Sequence, residues 1–132
     1  MFDLTKEDLQ LVEMATEVIR KNYDRDKYFH MVGAAVRCKN GKVYCGVNLD
    51  SAVHVACAEF IAMGSAITAG EREFDCIVAI GGDELDEIYS PCGNCRQLLL
   101  SHMPDGFVIV NTGDGPKKVV VKDLLPFAYH VV

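Results

Sequence analysis

Ser90-Pro91-Cys92-Gly93-Asn94-Cys95-Arg96-Gln97, read together with Cys57-Ala58-Glu59 upstream, is the stretch around which the chain is organised. A Cys-x-x-Cys pair that opens a helix sets its thiols at i and i+3 on one face. There the unpaired N–H groups and the positive end of the helix dipole favour thiolate. Pro91 suits the position just ahead of such a helix. Two thiolates fill only half of a tetrahedral zinc site. Structural zinc takes four protein ligands, whereas catalytic zinc takes three and keeps one position open; Cys57 supplies the third thiol, and Glu59 stands two residues on.

The 132 residues bound a single domain, residues 1–132, large enough to bury a core without disulfide staples. With 50% hydrophobic and 24% charged residues the chain reads as an ordinary globular protein and not as a disordered one. The start, Met1-Phe2-Asp3-Leu4-Thr5-Lys6-Glu7-Asp8, carries no apolar run of signal-peptide length, and no later run spans a bilayer, so the expectation is a cytoplasmic protein without a membrane partner. In that reducing compartment six cysteines point to thiols and metal ligation, not to three disulfides. Cys38, Cys45 and Cys76 fall in strand-like runs and read as small buried hydrophobes. A net charge of -6 argues against a nucleic-acid polymer, whose binding draws on clustered Lys and Arg, and suits a small uncharged or cationic substrate.

Residues 5–22 place Leu11, Met14, Ala15, Val18 and Ile19 at helical spacing, with Thr5 and Asp8 at the start as cap and first-turn acid. Residues 30–37 and 43–48 are strand-like, and Asn40-Gly41 between them predicts an antiparallel hairpin. A loop over 49–56 leads into a helix over 57–69, ended by Gly70. Residues 74–80 form a continuous apolar run, as a central strand covered on both faces requires. A solvated acidic loop over 83–87 and a third helix over 92–103 follow. The last strands, 107–110 and 118–121, are separated by seven residues, too few for a crossover helix, and should pair antiparallel. The helical crossovers elsewhere demand parallel, right-handed connections. The expected fold is α/β: a five-stranded mixed sheet with helices on both faces, the last two strands antiparallel.

Cys57-Ala58-Glu59 followed by Ser90-Pro91-Cys92 and Cys95 resembles the cytidine deaminase family in its tri-cysteine form, over about residues 30–129. The nine-residue step from Asn48 to Cys57 and the run Cys76-Ile77-Val78-Ala79-Ile80-Gly81 are similar to its blasticidin S deaminase-like branch. The resemblance implies a three-layer fold, zinc held by Cys57, Cys92 and Cys95, and Glu59 as proton shuttle from the attacking water to the ring nitrogen and then to departing ammonia. It further implies Asn48 and Asp50 on the sugar hydroxyls, although Asp50 is shorter than the family's glutamate. Ala58 and Ser90 are implied as substrate contacts, and His30 stands where the family has a phenylalanine that packs on the substrate. Tyr129 would close the pocket of a neighbouring subunit in a homotetramer, whose contact the apolar ending 127–132 also suits. Arg96 would compensate the charge of three thiolates, since Phe60 occupies the position of a second arginine found in many tri-cysteine members.

The function implied is hydrolytic deamination of a free cytosine nucleoside, cytidine or deoxycytidine. Three alternatives stay open. The substrate is blasticidin S or another modified aminopyrimidine. Or His54 completes a closed site of three cysteines and one histidine, in a structural or interaction module. Or the site binds a nucleoside without turnover. A polynucleotide deaminase is disfavoured by the charge and by the short final hairpin.

Overall fold

Thr5 and Asp8 set the start of α1 (Lys6–Asn22) as a reciprocal capping box: the Asp8 N–H donates to the Thr5 hydroxyl at 3.2 Å and the Thr5 N–H to the Asp8 carboxylate at 2.9 Å. The computed structural model describes residues 1–129; residues 130–132, part of the apolar ending, lie outside the described residues. After α1 come β1 (Gly33–Cys38) and β2 (Val43–Val47), joined through the Asn40-Gly41 turn with Gly41 at φ +89°. Two short strands, β3 (Leu49–Asp50) and β4 (Val55–Ala56), precede α2 (Ala58–Thr68), which Gly70 ends at φ +97°. Then follow β5 (Phe74–Gly81), β6 (Glu87–Ile88), α3 (Gly93–His102), β7 (Phe107–Thr112), β8 (Gly115–Val120) and a 3-10 turn, Val121–Leu124.

The main sheet runs β2-β1-β5-β7-β8, with β6 paired to the end of β5. β5 is central, antiparallel to β1 and parallel to β7, and β8 is antiparallel to β7. The α3 crossover therefore joins parallel neighbours, and α2 joins β2 to β5, parallel strands with β1 between them. The five expected strands are present, with both expected antiparallel pairs; β6 makes the sheet six-stranded where five strands were expected, and β1 begins at Gly33 and not at residue 30. Alternation along the strands divides the core: Ala34, Val36, Ile77, Ala79, Val108 and Val110 face α2 and α3. Ala35, Cys76, Val78, Ile80 and Ile109 face Leu11, Ala15 and Ile19 of α1. At Gly46 of β2 a Cβ would come within 2.5 Å of the Ala62 N, so glycine lets the backbone of α2 lie directly on the sheet.

Three local expectations are corrected. The 49–56 loop holds the β3–β4 hairpin, whose turn is built by Ser51: its hydroxyl donates to the His54 carbonyl at 2.9 Å and accepts from the His54 N–H at 3.1 Å. The acidic 83–87 loop ends in β6, where Glu87 pairs with Gly81. The final hairpin is longer than expected, with Asn111 opposite Pro116 and Thr112 opposite Gly115, so only Gly113 and Asp114 remain in the turn. Pro116 is tolerated because β8 ends the strand path. No helix among the described residues is long and apolar enough to cross a membrane.

Asp8, with no accessible surface, pairs with Arg37 of β1 at 2.8 Å and Lys118 of β8 at 3.0 Å, while Arg37 also reaches Asp75 of β5 at 2.7 Å. Burial alone would push the Asp8 carboxyl up. The Thr5 N–H, Arg37 and Lys118 outweigh it and bring the pKa down to about 2 from 3.8. Because the folded pKa lies below the unfolded one, this contribution is full above the unfolded value and is lost as pH falls through about 2. We expect Asp8→Asn to cost about 2 kcal/mol at pH 7 and to remove that part of the acid dependence. Urea unfolding from pH 2 to pH 7 checks it; parallel stability curves for wild type and variant would contradict the assignment.

Candidate active site

Two helix starts bring the sulfurs together. Cys57 is the N-cap of α2 and Cys92 the N-cap of α3, both in extended backbone, and Cys95 lies one turn into α3. The Cys92 Sγ accepts the Cys95 N–H at 3.4 Å, taking up one of the donors a helix start leaves unpaired. The three Sγ atoms lie within 4.8 Å of one another, and Cys57 and Cys92 are 3.8 Å apart. Ligands at ~2.3 Å around a tetrahedral ion lie about 3.8 Å apart, so the donor set fits zinc in both chemistry and spacing. Cys95 is buried, Cys57 half-buried and Cys92 exposed, which leaves one side open.

The thiols differ in electrostatics. Burial pushes Cys95 well above the usual thiol range, and the nearby Glu59 and Cys57 add to it. Cys57 is also raised, chiefly by burial. Burial opposes ionisation of Cys92 too, but hydrogen bonds from the Cys95 N–H, the neighbouring thiols and the Asn94 N–H bring its pKa below the usual value. A dication at the centre lowers all three, since coordination deprotonates thiols outright.

Glu59, in the first turn of α2, is 7% exposed. Burial raises its pKa, while its own N–H and the Cys95 thiol pull it partly back. A carboxyl shifted up in this way holds a proton closer to neutrality, as a group that both takes and returns one must.

These groups line a cavity of about 190 Å³. Of the sequence-predicted residues, Asn48, Cys57, Ala58, Glu59, Ser90, Cys92 and Cys95 all face it. Asp50 and His30 do not line it; they stand behind Asn48. The Asn48 amide donates to both Asp50 oxygens at 3.2 and 3.1 Å and its oxygen accepts the Val32 N–H at 2.8 Å. The His30 N–H donates to Asp50 at 3.1 Å, and its Nδ1 lies 2.8 Å from the Asn48 carbonyl. His30 holds φ +56°, a left-handed backbone that brings its N–H toward Asp50.

Arg96 donates from Nε to the Pro91 carbonyl at 2.8 Å and from Nη1 to the Leu124 carbonyl at 3.0 Å, clamping the loop before α3 to the 3-10 turn. Tyr129, 77% exposed, lies on a separate groove with Gln97 and Phe127. His54 is exposed and not part of the sulfur group, so among the described residues it does not close a fourth position. Sequence reasoning missed four wall residues, Val32, Val55, Ala79 and Tyr89. Ala79 was legible by its alternation with Ile77, and Tyr89 by adjacency to Ser90.

The chain matches the family described as "Cytidine and deoxycytidylate deaminase zinc-binding region" over residues 5–111. Blasticidin-S deaminase of Bacillus cereus is 39% identical over 136 residues, covering 97% of this chain and 96% of that protein. The cytidine deaminase of Sporosarcina psychrophila is 32% identical over 103 residues, 74% of each. Among solved structures, the cytidine deaminase of Burkholderia pseudomallei has a TM-score of 0.77 at 33% identity, covering 96% of this chain and 100% of that one. That of Mycobacterium tuberculosis has a TM-score of 0.76 at 26% identity, covering 93% and 97%.

Proposed function

Since the chain belongs to the cytidine and deoxycytidylate deaminase family and is a hydrolytic deaminase of the zinc-binding kind, we propose that it removes the ring amine of a free cytosine nucleoside, cytidine or deoxycytidine, by attack of water. The observation that supports this reading is the meeting of three thiols at two helix starts beside a buried Glu59 in one cavity. Cys57, Cys92 and Cys95 would hold the metal, which supplies Lewis acidity and water of lowered pKa. Glu59 takes the proton of the attacking water, passes it to the ring nitrogen beside the amine-bearing carbon, and delivers a proton to the leaving ammonia. Water adds, ammonia departs, and the ring carbon keeps an oxygen. Ala58, Ser90 and Asn48 line the cavity and would meet the substrate there.

A second reading, blasticidin S as substrate, is supported by the likeness that covers 97% of the chain against 74% for the Sporosarcina cytidine deaminase. Ammonia release over cytidine, deoxycytidine, 5-substituted cytidines, cytosine and blasticidin S separates the two. We expect turnover of cytidine and deoxycytidine. Turnover of blasticidin S alone would replace the first reading with the second.

Four further assignments belong to this reading. Residues 1–132 would form one domain, a reading supported by the bridge that ties Phe2 to Lys118 at the sheet's far edge. A reducing cytoplasm would keep three thiols free for the metal. Tyr129 and Phe127 stand exposed outside their own chain's pocket, as residues serving a neighbouring copy in a homotetramer would. Arg96 adds a positive charge one residue after Cys95, even though its hydrogen bonds go to carbonyls.

A further inference from the structure

Residues 23–32, between α1 and β1, are bonded closely to the junction of β2 and β3. Asp24 and Phe29 exchange both backbone hydrogen bonds, at 3.0 and 3.1 Å, and so close a short loop that delivers His30. Val32 and Asn48 then hold each other. The Asn48 N–H donates to the Val32 carbonyl at 3.1 Å, and the Val32 N–H donates to the Asn48 side-chain oxygen at 2.8 Å. With that oxygen taken, the Asn48 amide nitrogen is turned toward Asp50. Asn48 lines the cavity, and Asp50 stands behind it.

His30 adds a bond to each member of this pair. Its backbone N–H donates to Asp50 at 3.1 Å, and its Nδ1 lies 2.8 Å from the Asn48 carbonyl. A carbonyl only accepts, so Nδ1 carries the ring proton. Both bonds depend on an uncommon backbone: His30 holds φ +56° and Tyr28 φ +57°, left-handed values that a residue with a side chain keeps only where its surroundings determine them. Phe29 packs edge-on to the imidazole, with ring centroids 6.0 Å apart. His30 itself does not line the cavity, so it reaches the substrate only through Asn48 and Asp50. An amide nitrogen with two hydrogens and a carboxylate with two oxygens keep capacity for an incoming hydroxyl beyond the bonds already made.

We propose that His30 is a positioning residue for the nucleoside's sugar, holding Asn48 and Asp50 as one rigid pair set to meet the sugar hydroxyls. The inference rests on the deaminase reading above. A pair anchored in this way loses little freedom when a hydroxyl arrives, so its hydrogen bonds are made without a cost of ordering. The sulfur group and Glu59 stand on α2 and α3, away from the His30 bonds. Loss of the imidazole therefore falls on recognition of the sugar and not on the reacting carbon.

Steady-state kinetics of the zinc-loaded full chain on cytidine and on 2′,3′-dideoxycytidine tests it, the latter read both as kcat/KM and as Ki against cytidine. His30→Gly keeps the left-handed backbone and its N–H at no steric cost and deletes only the ring. It should lower kcat/KM on cytidine about tenfold or more, chiefly through KM, the scale of one well-placed hydrogen bond. The dideoxy compound has no 2′ or 3′ hydroxyl for the pair to hold, and its kcat/KM and Ki should move less than about threefold. His30→Asn is the conservative variant: asparagine tolerates left-handed backbone, and its amide nitrogen takes the place of Nδ1, so cytidine kinetics should return to within about threefold of wild type. Circular dichroism and zinc content check the fold and the metal site of each variant. Equal losses on the two compounds in His30→Gly, no loss on cytidine, or an asparagine variant no better than glycine overturns the inference and leaves the deaminase reading standing. Turnover of no cytosine nucleoside by zinc-loaded wild type overturns both.

Discussion

Glu59→Gln is expected to keep the fold and the zinc and to lose ~10²–10⁴-fold in kcat, the range for removal of a general acid–base group. Glutamine matches the shape of glutamate and can still accept the residue's own N–H, one of the two contacts that pull the carboxyl's pKa down. It cannot carry a proton between water, ring nitrogen and ammonia. Glu59 is buried, and glutamine, close to it in shape and neutral, fits the same space. The variant should therefore melt close to wild type at pH 7 while being nearly inactive. Metal analysis, thermal unfolding and ammonia release on one preparation decide it. Near-normal turnover would remove Glu59 from the mechanism.

The parts of this fold that local sequence carries are those closed by neighbours in the chain. Thr5 and Asp8 form their capping box over three residues, Asn40-Gly41 turns its hairpin, and the apolar run beginning at Phe74 could only be a strand covered on both faces. The metal ligands were legible for the same reason: each sits at a helix start that its own segment signals. What local sequence does not show depends on partners far away. Arg96 reads as a cation offsetting the thiolates, and its guanidinium also donates to the Leu124 carbonyl, 28 residues on. Asp50 reads as a sugar ligand, and the His30 N–H, 20 residues back and presented by a left-handed backbone, also donates to it. The β3–β4 hairpin escaped because two-residue strands have no periodicity to detect. The metal site is thus legible in the motif, whereas the contacts that tie Arg96 and Asp50 into the fold are made by residues far along the chain.

Cys92→Ser should abolish zinc binding, and with it activity, without unfolding the chain. Of the three thiols Cys92 is the one best suited to separate the two roles, because it is exposed and caps α3, whereas Cys95 is buried and a polar replacement there would disturb the core as well. Serine is among the preferred N-cap residues, so its oxygen can take over the Cys95 N–H that the Cys92 sulfur now accepts, and the helix start is kept. As a ligand it is poor: a hydroxyl does not deprotonate as a thiol does, and soft thiolate is what selects zinc at such a site. The same substitution leaves Cys57 and Cys95 as two donors, half of a tetrahedral shell. Wild type should contain one zinc per chain and lose thermal stability on addition of a chelator, since an ion bound only by the folded state stabilises it by mass action. The variant should contain none and should melt at one temperature with or without chelator. His54→Ala is the matched control, because His54 is exposed and outside the sulfur group. That variant should keep the full complement of metal. Zinc retained by Cys92→Ser, or lost by His54→Ala, would mean a ligand set other than the three thiols and would turn the reading back toward a closed, four-ligand structural site.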